Sequence, residues 1–376
     1  MNLELLLLGD APVTRLIERA KLAEASGFAA VWLADERFYR EVYSCLSQLA
    51  AHTSTILLGP CVTDPYSRHP ALTAMAIATL DEISGGRAIL GIGAGISGFA
   101  ELGIERNKPA RAIREAIELI RARLGGETVD FVGQVISFDH GHLSFSPVRS
   151  ALPIYLASNG PLGQRVAAEL ADGAIMEACA SVPEVRALRA AITVGATKAG
   201  RNPQAIRVIA RLSTCVAADG RLARAAVRPA VARYLGAGRL RGRTISAQDL
   251  ALPAAAVASV ACASYAAGVT PYLPLLPLIT DRHVDAFALA GNVEEVAKHA
   301  IALHAAGADT IIARPFASEG ATVEETIVKL GSEVWPPVLA AIASGRAAEI
   351  MVPPAASSLT ASGKRPRPQS GSNRSR

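Results

Sequence analysis

Three separate stretches of the chain, AEASGFAAVWLAD, AAELADGAIMEA and LHAAGADTIIARP, share one cadence. Each is the end of an amphipathic helix, then a glycine, then a short continuous apolar run. SGGRAILGIGAG repeats the pattern with Gly85 and Gly86. Gly27, Gly173 and Gly307 stand where a helix has to stop, and glycine enters the left-handed turn there without a Cβ penalty. The apolar runs do not alternate with polar residues, so both faces of each strand are covered, as in a parallel sheet under helices. Reading on in this way places strands near residues 3–8, 29–34, 55–59, 87–92, 153–157, 173–178, 206–216 and 309–313. Eight β/α units predict an α/β fold, a (β/α)8 TIM barrel, ahead of an open doubly wound sheet.

Two insertions interrupt the cadence within one barrel spanning 1–346. Residues 126–147 alternate like a β-hairpin around Gly133, and 238–291 are an apolar, Pro- and Ala-rich helical stretch. Residues 347–376 read as a disordered basic tail. The end of that tail explains the formal charge of +5: from Pro353 onward five basic residues have no acidic counterpart, and the other 33 basic residues balance 33 acidic ones. A neutral body gives no reason to expect a nucleic-acid partner. The five cysteines form no C-x-x-C pair, which fits a reduced, cytoplasmic protein. The start, MNLELLLLGD, reads as a first strand and not as a leader. No charge falls between Asp249 and Asp281, but prolines break that stretch, so a membrane span is not expected.

In a barrel of this kind, chemistry sits at the C-terminal ends of the strands. ILLGPCVTDPYSRHP ends the third strand in a turn stiffened by Pro60, Pro65 and Pro70. WLADERFYREVY follows the second, and its Asp35 and Glu36 are either acid/base groups or helix-capping carboxylates. GAGISG, with Gly93, Gly95 and Gly98, matches G-x-G-x-x-G, but no helix opens on it; it is better read as a backbone wall that a flat ligand can approach. In SNGPLGQRVAAEL, after the fifth strand, Ser158, Asn159, Gly160 and Pro161 lead into a helix whose free N–H groups could hold a phosphate; plain capping by Ser158 or Asn159 is the alternative. His140 and His142 share a hairpin face without a third metal ligand in sequence, and no G-x-S-x-G, H-E-x-x-H or P-loop lysine occurs. No metal site is expected.

The block REVYSCLSQLAAHTSTILLGPCVTDPYSRHPALTAMAIATLDEISGGRAILGIGAG closely resembles the luciferase-like flavin/deazaflavin oxidoreductases. Within them it is most similar to the methylenetetrahydromethanopterin reductases, which use the deazaflavin coenzyme F420. The similarity runs from AKLAEASGFAAVWLAD through KPARAIREAIELI to IYLASNGPLGQRVAAELADGAI, with a looser echo in VDAFALAGNVEEVAKHAIALHAAGADTIIA.

The resemblance implies a third strand that ends in a bulge with a non-prolyl cis peptide against one face of the cofactor ring. The matching residues here are Cys61, Val62 and Thr63, with the bond at Cys61–Val62. It implies a phosphate loop at Ser158, Asn159, Gly160 and Pro161 and a cleft wall at Gly93 and Gly95. It also implies hydride transfer between F420 and a small organic substrate, with Asp35 and Glu36 as acid/base candidates, Cys61 as a packing residue and a homodimeric assembly. Two departures stand out. The methanopterin reductases carry acids where this chain has Leu6 and Ile96, which implies a different and more apolar substrate. The rival readings are an FMN-dependent monooxygenase and a flavin binder without turnover.

Overall fold

The computed structural model describes residues 1–36, 38–95, 98–177, 180–237, 249–263 and 267–345. The expectations for the tail, for Ile96 and for part of the 238–291 insertion fall outside them. Eight parallel strands form the barrel: β1 (Asn2–Leu7), β2 (Ala30–Leu33), β3 (Leu57–Pro60), β4 (Leu90–Gly93), β7 (Ile154–Ala157), β8 (Gly173–Glu177), β9 (Arg207–Val216) and β11 (Thr310–Pro315). Their spatial order is β3-β2-β1-β11-β9-β8-β7-β4, and bridges Leu58–Ala88 and Thr63–Ile92 bring β4 back to β3. Each predicted strand is present within a few residues, because a run buried on both faces can be little else once glycine has ended the preceding helix.

Helices α1 (Val13–Ala25), α2 (Val42–Ala51), α3 (Pro70–Ser84), α4 (Pro109–Leu124), α5 (Pro161–Leu170), α6 (Val182–Lys198) and α7 (Gly220–Gly236) follow their strands. Gly27, Gly85 and Gly307 have positive φ, as helix-stop residues should. Gly173 does not fit that role. The helix before it, α5, ends in extended backbone at Ala171, and Gly173 is the first residue of β8. A Cβ on Gly173 would stand 2.5 Å from Tyr155 Cδ1, so close packing inside the barrel is what requires glycine there.

The first insertion is a hairpin, β5 (Val129–Val132) paired antiparallel with β6 (Ser137–Gly141). The buried carboxylate of Glu115 on α4 holds its turn, accepting N–H bonds from Gln134, Val135 and Ile136 at 2.8, 2.9 and 3.0 Å. The second insertion is not wholly helical. Its last residues form β10 (Ala288–Gly291), which pairs in parallel with the end of β9. Many of its described apolar residues are covered: Leu250, Val260, Tyr272, Leu275 and Ile279 pack with α7 in a core of their own, while Leu273 is exposed. No helix among the described residues is long and apolar enough to cross a membrane.

Candidate active site

The barrel interior is built by strand periodicity. Leu6, Trp32, Cys61, Ile89, Tyr155, Ala157, Ile175, Ile209 and Ile312 form one inward cluster. Residues two further along a strand face the same way. Glu177, Arg211 and Arg314 therefore point into the mouth, above Ile175, Ile209 and Ile312. β8, β9 and β11 are neighbours in register, with Glu177 opposite Arg211 and Arg314 opposite Ser213.

One half of the mouth is glycine-lined and close-packed. The Cys61–Val62 peptide is cis, at the bond to which the resemblance pointed. Cys61 is buried, and burial pushes its thiol up to about 12, so it is a packing residue and not a nucleophile. Thr63 is completely buried and its hydroxyl has no partner among the described residues. A Cβ on Gly93 would lie 2.8 Å from Val62 Cγ2, and one on Gly95, at φ 62°, would lie 2.6 Å from the Phe99 ring. Among the described residues after Gly95 no α-helix opens until α4 at Pro109, which removes the dinucleotide-fingerprint reading.

Beside that wall lies the start of α5. Ser158 Oγ accepts from the Gly160 N–H at 3.2 Å, and Asn159 is tied to Glu177 by two backbone bonds of 2.9 and 3.0 Å. Neither caps the helix: α5 starts at Pro161 with no side-chain cap. A Cβ on Gly163 would run into the Ser158 side chain, so the cradle has no room for one. An uncapped N-terminus beside a glycine wall with an orphaned threonine hydroxyl suits a flat ring that carries a phosphate tail.

Asp35 and Glu36 follow β2 at the rim. Neither caps α2, whose N-cap is Glu41, accepting from the Ser44 N–H at 2.7 Å. Glu36 pairs with the buried Arg233 of α7 at 3.2 Å, and Arg211 pairs with Glu177 at 3.3 Å. Asp35 lies close enough to the buried Tyr43 that its charge adds to burial in raising that phenol's pKa.

Several residues of this region escaped the sequence reading. Tyr234 of α7 stacks on Phe287, with ring centroids 6.5 Å apart. Burial alone would raise its pKa, but Arg211, Arg314 and the Ser213 hydroxyl outweigh it and hold the phenol below the ordinary tyrosine value. An alkaline absorbance titration should show one early tyrosinate step that Tyr234→Phe removes, since Tyr39, Tyr43, Tyr66 and Tyr155 are pushed the other way by burial. An unchanged first step in the variant would contradict the assignment. Glu4 was also missed. It lies on β1 two residues before Leu6 and is buried in the barrel, and it accepts a 2.6 Å bond from Trp32 Nε1. The available signal was one charge within an apolar run: Glu4 in LELLLL, Arg211 in VIARLSTCV and Arg314 in TIIARP. Such a residue, on a strand covered on both faces, has to be held by the interior or by the mouth.

The family described as luciferase-like monooxygenase matches residues 4–310. The 5,10-methylenetetrahydromethanopterin reductase of Archaeoglobus fulgidus is 36% identical over 321 residues, 84% of this chain and 93% of that protein. The F420-dependent hydroxymycolic acid dehydrogenase of Mycobacterium tuberculosis is 34% identical over 226 residues, 56% of this chain and 62% of that protein. The solved structure of the coenzyme F420-dependent tetrahydromethanopterin reductase from Methanopyrus kandleri superposes with a TM-score of 0.80 at 28% identity, covering 90% of this chain and 99% of that one. The chain thus belongs to the luciferase-like monooxygenase family and is one of its oxidoreductases.

Proposed function

We propose that the chain transfers a hydride between F420 and a small organic substrate at the mouth of the barrel. The observation that carries this reading is the adjacency of an uncapped α5 N-terminus to the Gly93–Gly95 wall and the buried, unpartnered Thr63 hydroxyl. The names of the similar reductases and of the hydroxymycolic acid dehydrogenase support the choice of cofactor. F420, when bound, supplies the hydride chemistry. The protein positions it: Ser158, Asn159, Gly160 and Pro161 hold the phosphate at the helix N-terminus, and Cys61, Val62, Thr63, Gly93 and Gly95 seat the ring. Asp35 and Glu36 handle the accompanying proton, with Arg233 orienting Glu36.

Three finer points belong to the same reading. The substrate differs from a pterin, since Leu6 stands where the methanopterin reductases carry an acid, and the one carboxylate on that face of β1, Glu4, is buried against Trp32. The described cysteines Cys45, Cys61, Cys215 and Cys262 are free, which fits the cytoplasm. The chain forms a homodimer through the outer face of α3, where Leu72, Met75 and Ile83 are exposed in one stripe. A test of the phosphate cradle compares F420 with its phosphate-free deazaflavin nucleoside. The wild type should bind F420 at least ~10-fold more tightly, as one charge-assisted contact of about 1.5–3 kcal/mol requires. Gly163→Val should lose that preference while still binding the nucleoside. Equal affinities of the wild type for both compounds would contradict the cradle.

A further inference from the structure

None of the residues assigned above to the cofactor is one of the cations of the other half of the mouth. Three guanidiniums gather there, and two of them are neutralised: Arg211 by Glu177 at 3.3 Å and Arg233 by Glu36 at 3.2 Å. Arg314, half-buried at the end of β11, has no carboxylate partner among the described residues. Its guanidinium carbon lies over the Phe316 ring, 4.9 Å from the centroid. Stacking uses the face of the guanidinium and leaves its in-plane N–H donors directed outward. Ser213 is the register partner of Arg314 on β9, and the Tyr234 phenol is near enough to feel the charges of both Arg211 and Arg314. Among the described residues, this end of the mouth thus offers one planar cation without a carboxylate partner, flanked by a pair of hydroxyls. It is also three strands away from β7, which leads into the phosphate cradle.

We propose that Arg314, with Ser213 and Tyr234 beside it, anchors a carboxylate carried by the substrate, so that the substrate is a small organic acid. A planar anion matches the fork of a guanidinium in two parallel hydrogen bonds, and the paired Ser213 and Tyr234 hydroxyls leave one further donor for a remaining lone pair. An apolar substrate would leave the Arg314 charge desolvated without a partner, which the fold would have no reason to build. This inference rests on the proposed function for the reaction, but not for the binding, which needs no cofactor.

The test uses the full chain without cofactor and ligand-observed NMR with acetate, pyruvate, benzoate, inorganic phosphate and acetone. At least one carboxylate should bind the wild type ~10-fold or more tightly than Arg314→Ala, the fold-change expected for loss of a charge-assisted hydrogen bond. Arg314→Lys should recover part of the difference, acetone should not discriminate, and phosphate should bind less well than the best carboxylate. Matched melting curves establish that the variants fold; if the alanine variant does not, Arg314→Gln takes its place. F420 affinity, read separately by fluorescence, should not change in the variants. Equal carboxylate binding by wild type and variant would overturn the proposal, as would no carboxylate binding at all or a preference for phosphate. Loss of F420 affinity in Arg314→Ala would assign the arginine to the cofactor's anionic tail and overturn it too. Failure of the wild type to bind F420 would instead sink the proposed function and leave the anion result standing.

Discussion

Glu4→Gln should stabilise the protein at alkaline pH by about 3 kcal/mol and leave it unchanged in acid. Burial raises the Glu4 carboxyl from 4.5 to about 7, against the opposing pull of the Trp32 N–H and the Arg207 charge. A group whose folded pKa is raised binds its proton more tightly when folded. Its contribution is therefore complete below the unfolded value, declines as pH rises past 4.5, and is lost above about 7. A shift of about 2.5 units at 1.36 kcal/mol each gives the magnitude. The glutamine cannot ionise, and its amide oxygen can still accept from Trp32 Nε1. Denaturant melts of both proteins between pH 4 and pH 9 should give a difference that grows through that window and then levels off. A constant difference, or destabilisation at every pH, would show that Glu4 does not carry this shift.

The second large effect is expected at Gly93. A Cβ there would already stand 2.8 Å from Val62 Cγ2, and Val62 follows the buried Cys61 at the cleft wall. Gly93→Val adds two further methyl groups. The neighbouring residues cannot retreat, because Gly93 N donates to Thr63 O at 2.9 Å and Thr63 N donates to Gly91 O at 3.0 Å, which fixes the spacing of β3 and β4. Overpacking of this kind costs about 1–3 kcal/mol, so cofactor affinity should fall roughly 5- to 150-fold. Val194→Ala is the control, since Val194 is exposed on α6 and has no part in the cleft. Fluorescence titration of the three proteins with F420 measures this. Wild-type affinity in Gly93→Val would mean that the ring lies elsewhere.

The barrel was legible in the sequence because every strand is a largely apolar run and those at 29–34, 87–92 and 309–313 are announced a second time by a glycine stop. The case of Gly173 shows the limit of the glycine signal. A glycine demanded by Tyr155 inside the barrel and one demanded by a helix end look alike in sequence, and only the backbone tells them apart. β10 was missed for a related reason: ALAG is four small or apolar residues with no turn signal, and pairing with β9 decides its conformation. At the site, the local features were readable, since the third-strand turn and the Ser158–Pro161 loop are each contiguous. The cationic half was not. Arg211, Tyr234 and Arg314 come from β9, α7 and β11, and only barrel closure brings them together. The apolar segment from 250 to 280 shows the converse. In sequence it is simply a long uncharged apolar stretch, but in the fold Val260, Tyr272, Leu275 and Ile279 pack with α7 while Leu273 stays exposed, and the exposed stripe is on α3.

The most direct measurement is a parallel titration of the purified protein with F420 and with FMN, followed by fluorescence and absorbance. Both present a tricyclic ring and a phosphate to the same cradle, so fold and phosphate binding alone cannot separate them. The account predicts saturable binding of F420 with weaker or no binding of FMN, followed by turnover with a hydride donor or acceptor. Preference for FMN would contradict it and make the chain a flavin-dependent monooxygenase, and saturable binding without turnover would make it a carrier. Binding of neither would remove the cleft formed by Gly93, Thr63 and the α5 N-terminus from the account altogether.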